Sequence, residues 1–232
     1  MKDYWIERWK RGEIGFHQDE INPYLRRYWQ ELHLPPMNVG GESQVFVPLC
    51  GKSRDMLWLR DQGYSVLGVE LSAIAVRAFF KENGYTPRHV TREKSDQLDQ
   101  SGRFDCWEVN GIRILQGDFF GLSKDDLSKA SAVYDRASLV ALPPEIRERY
   151  VFHLLSILPP ATQILLIAFD YPQREMPGPP FAVSTGEVEA LYRGRAEIRL
   201  LGQVDVLEQN PRFQERGLSR LQESIFLLTP YS

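Results

Sequence analysis

Val45–Ser72 reads VFVPLCGKSRDMLWLRDQGYSVLGVELS. An apolar run ends at Pro48, a turn follows through Leu49, Cys50 and Gly51, and apolar residues then recur at helical spacing as far as Gly63. A second apolar run, SVLGVEL, carries Glu70 near its end. Strand, helix and strand in that order describe a βαβ unit whose strands are buried on both faces. Gly51-Lys52-Ser53 imitates the end of a phosphate-binding loop. That loop needs G-x-x-x-x-G-K-[ST], because its first glycine lets backbone N–H groups wrap the phosphates. Counting back from Gly51 reaches Phe46, inside the strand, followed by Val47 and Pro48. Phe-Val-Pro-Leu-Cys builds no phosphate cradle, so ATP chemistry is not expected. What is left is one tight-turn glycine and a helix expected to be capped by Ser53, with Asp55 in its first turn.

The same alternation extends in both directions. Upstream, YWIERWKRG places Trp5 and Trp9 on one helical face, and Asn22-Pro23 opens a second helix carrying Tyr28, Trp29 and Leu32. Downstream, a helix over Ser72–Asn83 stops at Gly84. Thr86–Gly102 is polar and reads as a surface insertion or loose helix. FDCWEVNGIRILQGD reads as a hairpin, since Asn110-Gly111 suits a type I′ turn. A strand at Ser131–Asp135, a helix at Pro144–Leu158 and the buried strand ILLIAFDY follow. Ser184 and Glu187 suggest a capping box. The final runs, EIRLLGQVDVL and LQESIFLLT, have no helix between them and should pair antiparallel at one edge. The whole predicts a doubly wound, mostly parallel α/β sheet with right-handed crossovers. One domain over 1–232 is expected, with 1–40 as an N-terminal helical extension or lid and 41–232 as the α/β core.

Composition removes several classes of function. A net charge of −3 over 232 residues leaves no footprint for nucleic acid. Cys50 and Cys106 lie far apart without metal-ligand spacing and read as reduced thiols, so a cytoplasmic protein with no bound metal is expected. The longest apolar run, Ile164–Phe169, is too short to span a bilayer, and no membrane partner is expected.

In doubly wound sheets the ligand lies at the carboxyl ends of the strands. The candidates there are Leu49, Gly51, Glu70, Gly117, Asp118, Asp135, Arg136 and Asp170. Glu70 follows Gly51 by 19 residues and stands at the end of the second strand, where a carboxylate accepts both hydroxyls of a ribose; it could instead cap the next helix. Asp118 suits an adenine amino group or a simple turn. A dinucleotide site wants two or three glycines in the first turn, and here Gly51 stands alone. An adenosyl group without phosphates fits better, and S-adenosylmethionine is such a group. Its sulfonium would be attracted to nearby aromatics, which Trp5 and Trp9 supply unless they only pack their helix. A nucleotide-dependent oxidoreductase and a non-catalytic binding module are the competing readings.

Trp5-x-x-Arg8-Trp9, Ile14-Gly15-Phe16-His17, VFVPLCGKS, GVELS, Tyr134-Asp135-Arg136-Ala137 and Pro177-Gly-Pro-Pro-Phe-Ala-Val together resemble thiopurine S-methyltransferases, especially bacterial ones. The resemblance covers nearly the whole chain in order. It implies a class I methyltransferase fold with a seven-stranded sheet and S-adenosylmethionine as donor, released as S-adenosylhomocysteine. Carried over, Trp5, Trp9, Leu49, Gly51, Glu70, Gly117, Asp118 and Arg136 fall on the cofactor side, and Phe16, Arg136 and Arg212 near the acceptor. The resemblance implies a monomer acting on thiopurines or related aromatic thiols, and leaves selenium and tellurium compounds open as further acceptors. A sulfonium is already electrophilic and an aromatic thiol ionises near neutral pH, so in-line positioning matters more than a general base. Arg136 would then favour the thiolate, or else pair with a neighbouring carboxylate. His17, His33, His89 and His153 form no cluster along the sequence.

Overall fold

A computed structural model describes residues 2–14, 17–34, 43–91 and 104–231. β1 (Gln44–Val47) is buried at every position and lies at its centre. It pairs in parallel with β2 (Ser65–Glu70) on one side and with β6 (Ala130–Arg136) on the other. β5 (Ile112–Gln116) extends the parallel sheet beyond β2, and β7 (Gln163–Asp170) extends it beyond β6. The antiparallel edge expected from the last two runs is present: β9 (Gln222–Pro230) pairs with β7, and β8 (Ala196–Asp205) closes that side.

At the opposite edge the sheet is wider than the expected seven strands. β4 (Asp105–Val109) turns back against β5 through Asn110 and Gly111, both at positive φ (47° and 79°), as the Asn-Gly turn requires. β3 (Arg88–Thr91) then adds a ninth strand, so Thr86–Gly102 begins as a strand instead of a loose helix; residues 92–103 lie outside the described residues. The order β3-β4-β5-β2-β1-β6-β7-β9-β8 reverses direction at β1, between β2 and β6. That reversal is where such sheets open a crevice.

Helices cover both faces. Val45 and Val47 point into one core with Leu25, Trp29, Met56 and Phe79, whereas Phe46 points into the other with Tyr150, Leu154 and Val188. The first face is covered by α2 (Pro23–Tyr28), α3 (Asp55–Asp61) and α4 (Ala73–Glu82), and the second by α6 (Pro144–Ile157) and α7 (Thr185–Tyr192). Asn22 caps α2 as its sequence suggests, its Oδ1 accepting from the Tyr24 and Leu25 amides. The Ser184 box is half formed. Its hydroxyl accepts the Glu187 amide, but the Glu187 carboxylate is drawn off to Arg147. α1 (Lys2–Lys10) buries Trp9, and no helix among the described residues is long and apolar enough to cross a membrane.

At the end of β6, Asp135 is fully buried and accepts a hydrogen bond from the Tyr150 hydroxyl at 2.7 Å. Loss of hydration raises its pKa from 3.8 to about 6, against the opposing pull of Tyr150 and Ser138. Below both values the carboxyl is protonated whether folded or not and costs nothing. As pH rises through this window the unfolded chain ionises first, so stability falls, and the loss saturates above pH 6 at roughly 3 kcal/mol. Asp135→Asn keeps an oxygen for Tyr150 and should gain on the wild type over that window. Melting temperatures of both proteins from pH 4 to pH 8 check it, and a gap that does not change with pH would refute the raised pKa.

Candidate functional site

The turn after β1 is where the phosphate question is decided. Leu49 and Gly51 both adopt left-handed backbone, φ 45° and 53°. For glycine this is ordinary; for leucine it costs on the order of 1 kcal/mol, the kind of strain that clusters at ligand sites. Three amides of the resulting loop are engaged within the protein. Cys50 donates to the Val69 carbonyl, Gly51 to Glu70 Oε2 at 2.8 Å, and Ser53 to the Cys50 carbonyl. Ser53 Oγ accepts the Asp55 amide in a local turn, so the helix starts at Asp55 with Arg54 at the cap position, later than the Ser53 cap expected. Lys52 donates to both oxygens of Glu82 at 2.8 Å, fastening the turn to α4. No phosphate cradle is left.

Beside this turn lies a cavity of about 360 Å³. Glu70 looks into it from the end of β2 while accepting the Ser72 amide on Oε1 at 2.7 Å and the Gly51 amide on Oε2. Burial raises its carboxyl above the ordinary value, and the backbone N–H groups of Ser72, Gly51 and Leu71 oppose the rise. Both readings of Glu70 therefore coexist. It holds the start of α4, and a carboxylate has enough lone pairs to accept further hydroxyls.

Trp5, Trp9, Leu49, Gly51, Glu70, Asp118 and Arg212 all line this cavity. Trp5 donates its indole N–H to the Ala141 carbonyl, and the Trp9 ring lies 3.4 Å from where a side chain on Gly51 would begin. Asp118 is also the turn residue it resembled, accepting the Phe120 amide, and it pairs with Lys2 of α1. Gly117 does not line the cavity. It donates its amide to the Glu70 carbonyl and leaves room for the Phe104 ring, which a Cβ would strike at 2.5 Å.

Arg136 lines a smaller cavity of about 60 Å³, with His17 and Tyr134, and this chamber shares Trp9, Leu49, Gly51 and Ala137 with the larger one. Its guanidinium stands 3.6 Å from Asp55 Oδ2, not against Asp135. Asp170 is turned away onto Arg220. His153 stands against Phe119 and Phe120, where burial lowers its pKa. Phe16 lies outside the described residues.

The sequence reading missed Arg8, Arg149, Arg216 and Pro179-Pro180, which also line the larger cavity. Arg8 and the prolines stand inside blocks already quoted for the resemblance, and Arg216 lies one helical turn past Arg212. Arg149 carried no signal, since an arginine on an amphipathic helix looks solvated.

A thiopurine S-methyltransferase family model matches residues 1–230. The chain belongs to the thiopurine S-methyltransferase family. The enzyme of that name from Nitrosospira multiformis is 66% identical over 98% of this chain and 97% of its own length. That from Pseudomonas aeruginosa is 48% identical over 97% of each. Two solved structures share the fold at low identity. One, titled for conversion of a disulfide bond into a thioacetal group during echinomycin biosynthesis, has a TM-score of 0.61 at 12% identity and covers 99% of this chain and 93% of that one. The other, the Burkholderia thailandensis 1,6-didemethyltoxoflavin-N1-methyltransferase, has a TM-score of 0.59 at 15% identity and covers 100% and 87%.

This family member is an S-adenosylmethionine-dependent methyltransferase. The site's chemistry agrees with that donor: a buried carboxylate with acceptor capacity, one tight glycine under a tryptophan, and spent amides where a pyrophosphate would need free ones. Lys52→Ala in the methyltransferase should create no nucleotide phenotype. Calorimetry with ATP should show no binding to either protein, and the variant should melt about 2–4 °C lower, as loss of about 1 kcal/mol implies in a chain of this size. ATP turnover lost on substitution would overturn this account.

Proposed function

We propose that this methyltransferase methylates the sulfur of thiopurines and related aromatic or heterocyclic thiols. The observation that carries the reading is the charge of the larger cavity. Lys2, Arg8, Arg149, Arg212 and Arg216 line it against only Glu70 and Asp118, among apolar walls that include Phe213, Pro179 and Pro180. An aromatic acceptor carrying negative charge suits such a chamber. Selenium and tellurium oxyanions suit the same charge excess and stay within the proposed range. Bound S-adenosylmethionine supplies a methyl group on a positively charged sulfur. In this reading Glu70 holds the ribose, Leu49 and Gly51 shape the floor, and Asp118 takes the adenine side. Trp5 and Trp9 close over the cofactor with α1 as the lid part of the N-terminal extension 1–40, whose α2 belongs to the core. Gly117 acts through packing, and Phe16 flanks the acceptor as the family blocks imply.

No histidine lines the larger cavity among the described residues. Both of its carboxylates are already engaged, Glu70 with backbone amides and Asp118 with Lys2. Positioning and charge then carry catalysis, without a dedicated base. Arg212 meets the acceptor directly, whereas Arg136 acts from behind Leu49 and Ala137, steadied by Asp55. We further infer a monomer in a reducing cytoplasm. Two free cysteines support the compartment. The large exposed apolar side chains, such as Tyr4, Phe152 and Leu200, lie on separate elements, which supports a monomer.

Glu70→Ala should weaken S-adenosylhomocysteine binding by about 2–3 kcal/mol, because two charge-assisted hydrogen bonds are removed. Calorimetry measures it, and unchanged affinity would remove Glu70 from the cofactor site. For the acceptor, kcat/KM should follow the ionisation of the thiol itself, so two thiols about two pH units apart in pKa should give profiles displaced by the same amount. Arg212→Gln should lower kcat/KM about tenfold for acceptors with a carboxylate and much less for neutral ones, and Arg136→Gln, acting from behind Leu49 and Ala137, should show the same preference with a smaller loss. Equal losses for both classes would make these arginines structural, and a wild type inactive on every thiol would end the proposal.

A further inference from the structure

α5 (Ser138–Ala141) follows β6 and has only four residues, yet its carbonyl end receives three other parts of the chain. The Leu139 and Leu142 carbonyls both accept from Arg147 Nε, at 3.1 and 3.0 Å. The Val140 carbonyl accepts the Phe181 amide at 2.7 Å, and the Ala141 carbonyl accepts the Trp5 indole. Arg147 reaches further. Its Nη1 donates to the Ala182 carbonyl at 3.0 Å and pairs with Glu187. The side chain is wholly buried, at 0% exposure.

A buried guanidinium is costly, and here the cost is offset only in part. Nε and Nη1 are hydrogen-bonded, while the buried Nη2 has no partner among the described residues. An apolar residue would fill the same space at lower cost. What an apolar residue, or a lysine, lacks is a rigid fork with five donors that reaches two chain segments at once. The segments joined here both form cavity wall. Val140, Ala141 and Leu142 come from one, and Pro179 and Pro180 from the loop that leads to Ala182.

We infer that Arg147 is a positioning residue for methyl transfer: by clamping the carbonyl end of α5 to the loop after Pro179-Pro180, it sets the width of the acceptor side of the cavity. This rests on the acceptor reading above. A clamp that fixes width acts on wide acceptors more than on narrow ones, and Arg147's own partners, Leu139, Leu142, Ala182 and Glu187, stand apart from Glu70.

The test uses Arg147→Lys and Glu187→Gln in the full chain, with thiophenol and 2-naphthalenethiol as the narrow and wide acceptors. Calorimetry with S-adenosylhomocysteine should stay within about threefold of wild type for both variants. KM for 2-naphthalenethiol should rise about tenfold in Arg147→Lys and about threefold in Glu187→Gln, with thiophenol changing less than about twofold. Equal changes for the two thiols, or a parallel loss of S-adenosylhomocysteine binding, would overturn the inference and leave Arg147 a residue of general stability. Should Arg147→Lys fail to fold, the acceptor order in Glu187→Gln decides alone. A wild type that methylates neither thiol would count against the thiol reading instead. Hydrogen exchange would then decide the clamp: a larger acceleration over wild type at the Phe181 and Val183 amides than at Leu166 in Glu187→Gln supports it, and equal acceleration or none refutes it.

Discussion

Glu70 accepts the Gly51 amide with one oxygen and the Ser72 amide with the other, so the turn after β1 and the start of α4 both hang on one carboxylate. The two segments belong to neighbouring parallel strands, and the Cys50 amide on the Val69 carbonyl and Lys52 on Glu82 reinforce the join. Because the Gly51 amide points inward to Glu70, the turn cannot also present it to a ligand. The same bond that orders the crevice therefore selects its occupant, favouring hydroxyl groups over phosphates. Nearby, the Gly117 amide returns to the Glu70 backbone carbonyl, which ties the end of β5 to the same residue.

A second buried acid does the corresponding work behind the sheet. Asp55 accepts the Asn22 amide at 2.8 Å and the Tyr134 hydroxyl at 2.9 Å, and it faces the Arg136 guanidinium. Arg136 also pulls down the carboxyl of Glu223, which burial pushes up. The N-terminal segment, α3, β6 and β9 are thus joined through charges that exposure would weaken. A mutation that removes one member strands the others without water, so its effects should spread to groups that never touch it.

Much of this was legible in the sequence wherever the cause is local. The period-two strands, the Asn22-Pro23 cap and the Asn110-Gly111 turn need only their neighbours to be understood, and each is where its residues place it. β3 was not legible. Arg-His-Val-Thr gains its strand from β4, with His89 stacked 3.9 Å from Trp107, a contact across the sheet. Glu70 was legible because spacing from a glycine turn carries geometric meaning, and Trp5 and Trp9 because they share one helical face; all three line the larger cavity. Arg149 and Arg147 were missed because a helix pattern does not say what the far end of an arginine meets. Nor does any local pattern reveal that Leu49 and Ala137 take left-handed backbone, and those two residues put Arg136 in a different chamber from Arg212.

Leu49 and Ala137, at φ 45° and 67°, therefore act as a thin partition. With Trp9 and Gly51 they are all that the two chambers have in common among the described residues. A partition to which so few residues contribute is sensitive to the length of each side chain in it. Trimming Leu49 to alanine removes side-chain volume from the wall between cavities of about 360 and 60 Å³, on the path between the Arg136 guanidinium and the larger one. The range of molecules this scaffold accepts is then adjustable by a single substitution in a turn, with no strand or helix moved.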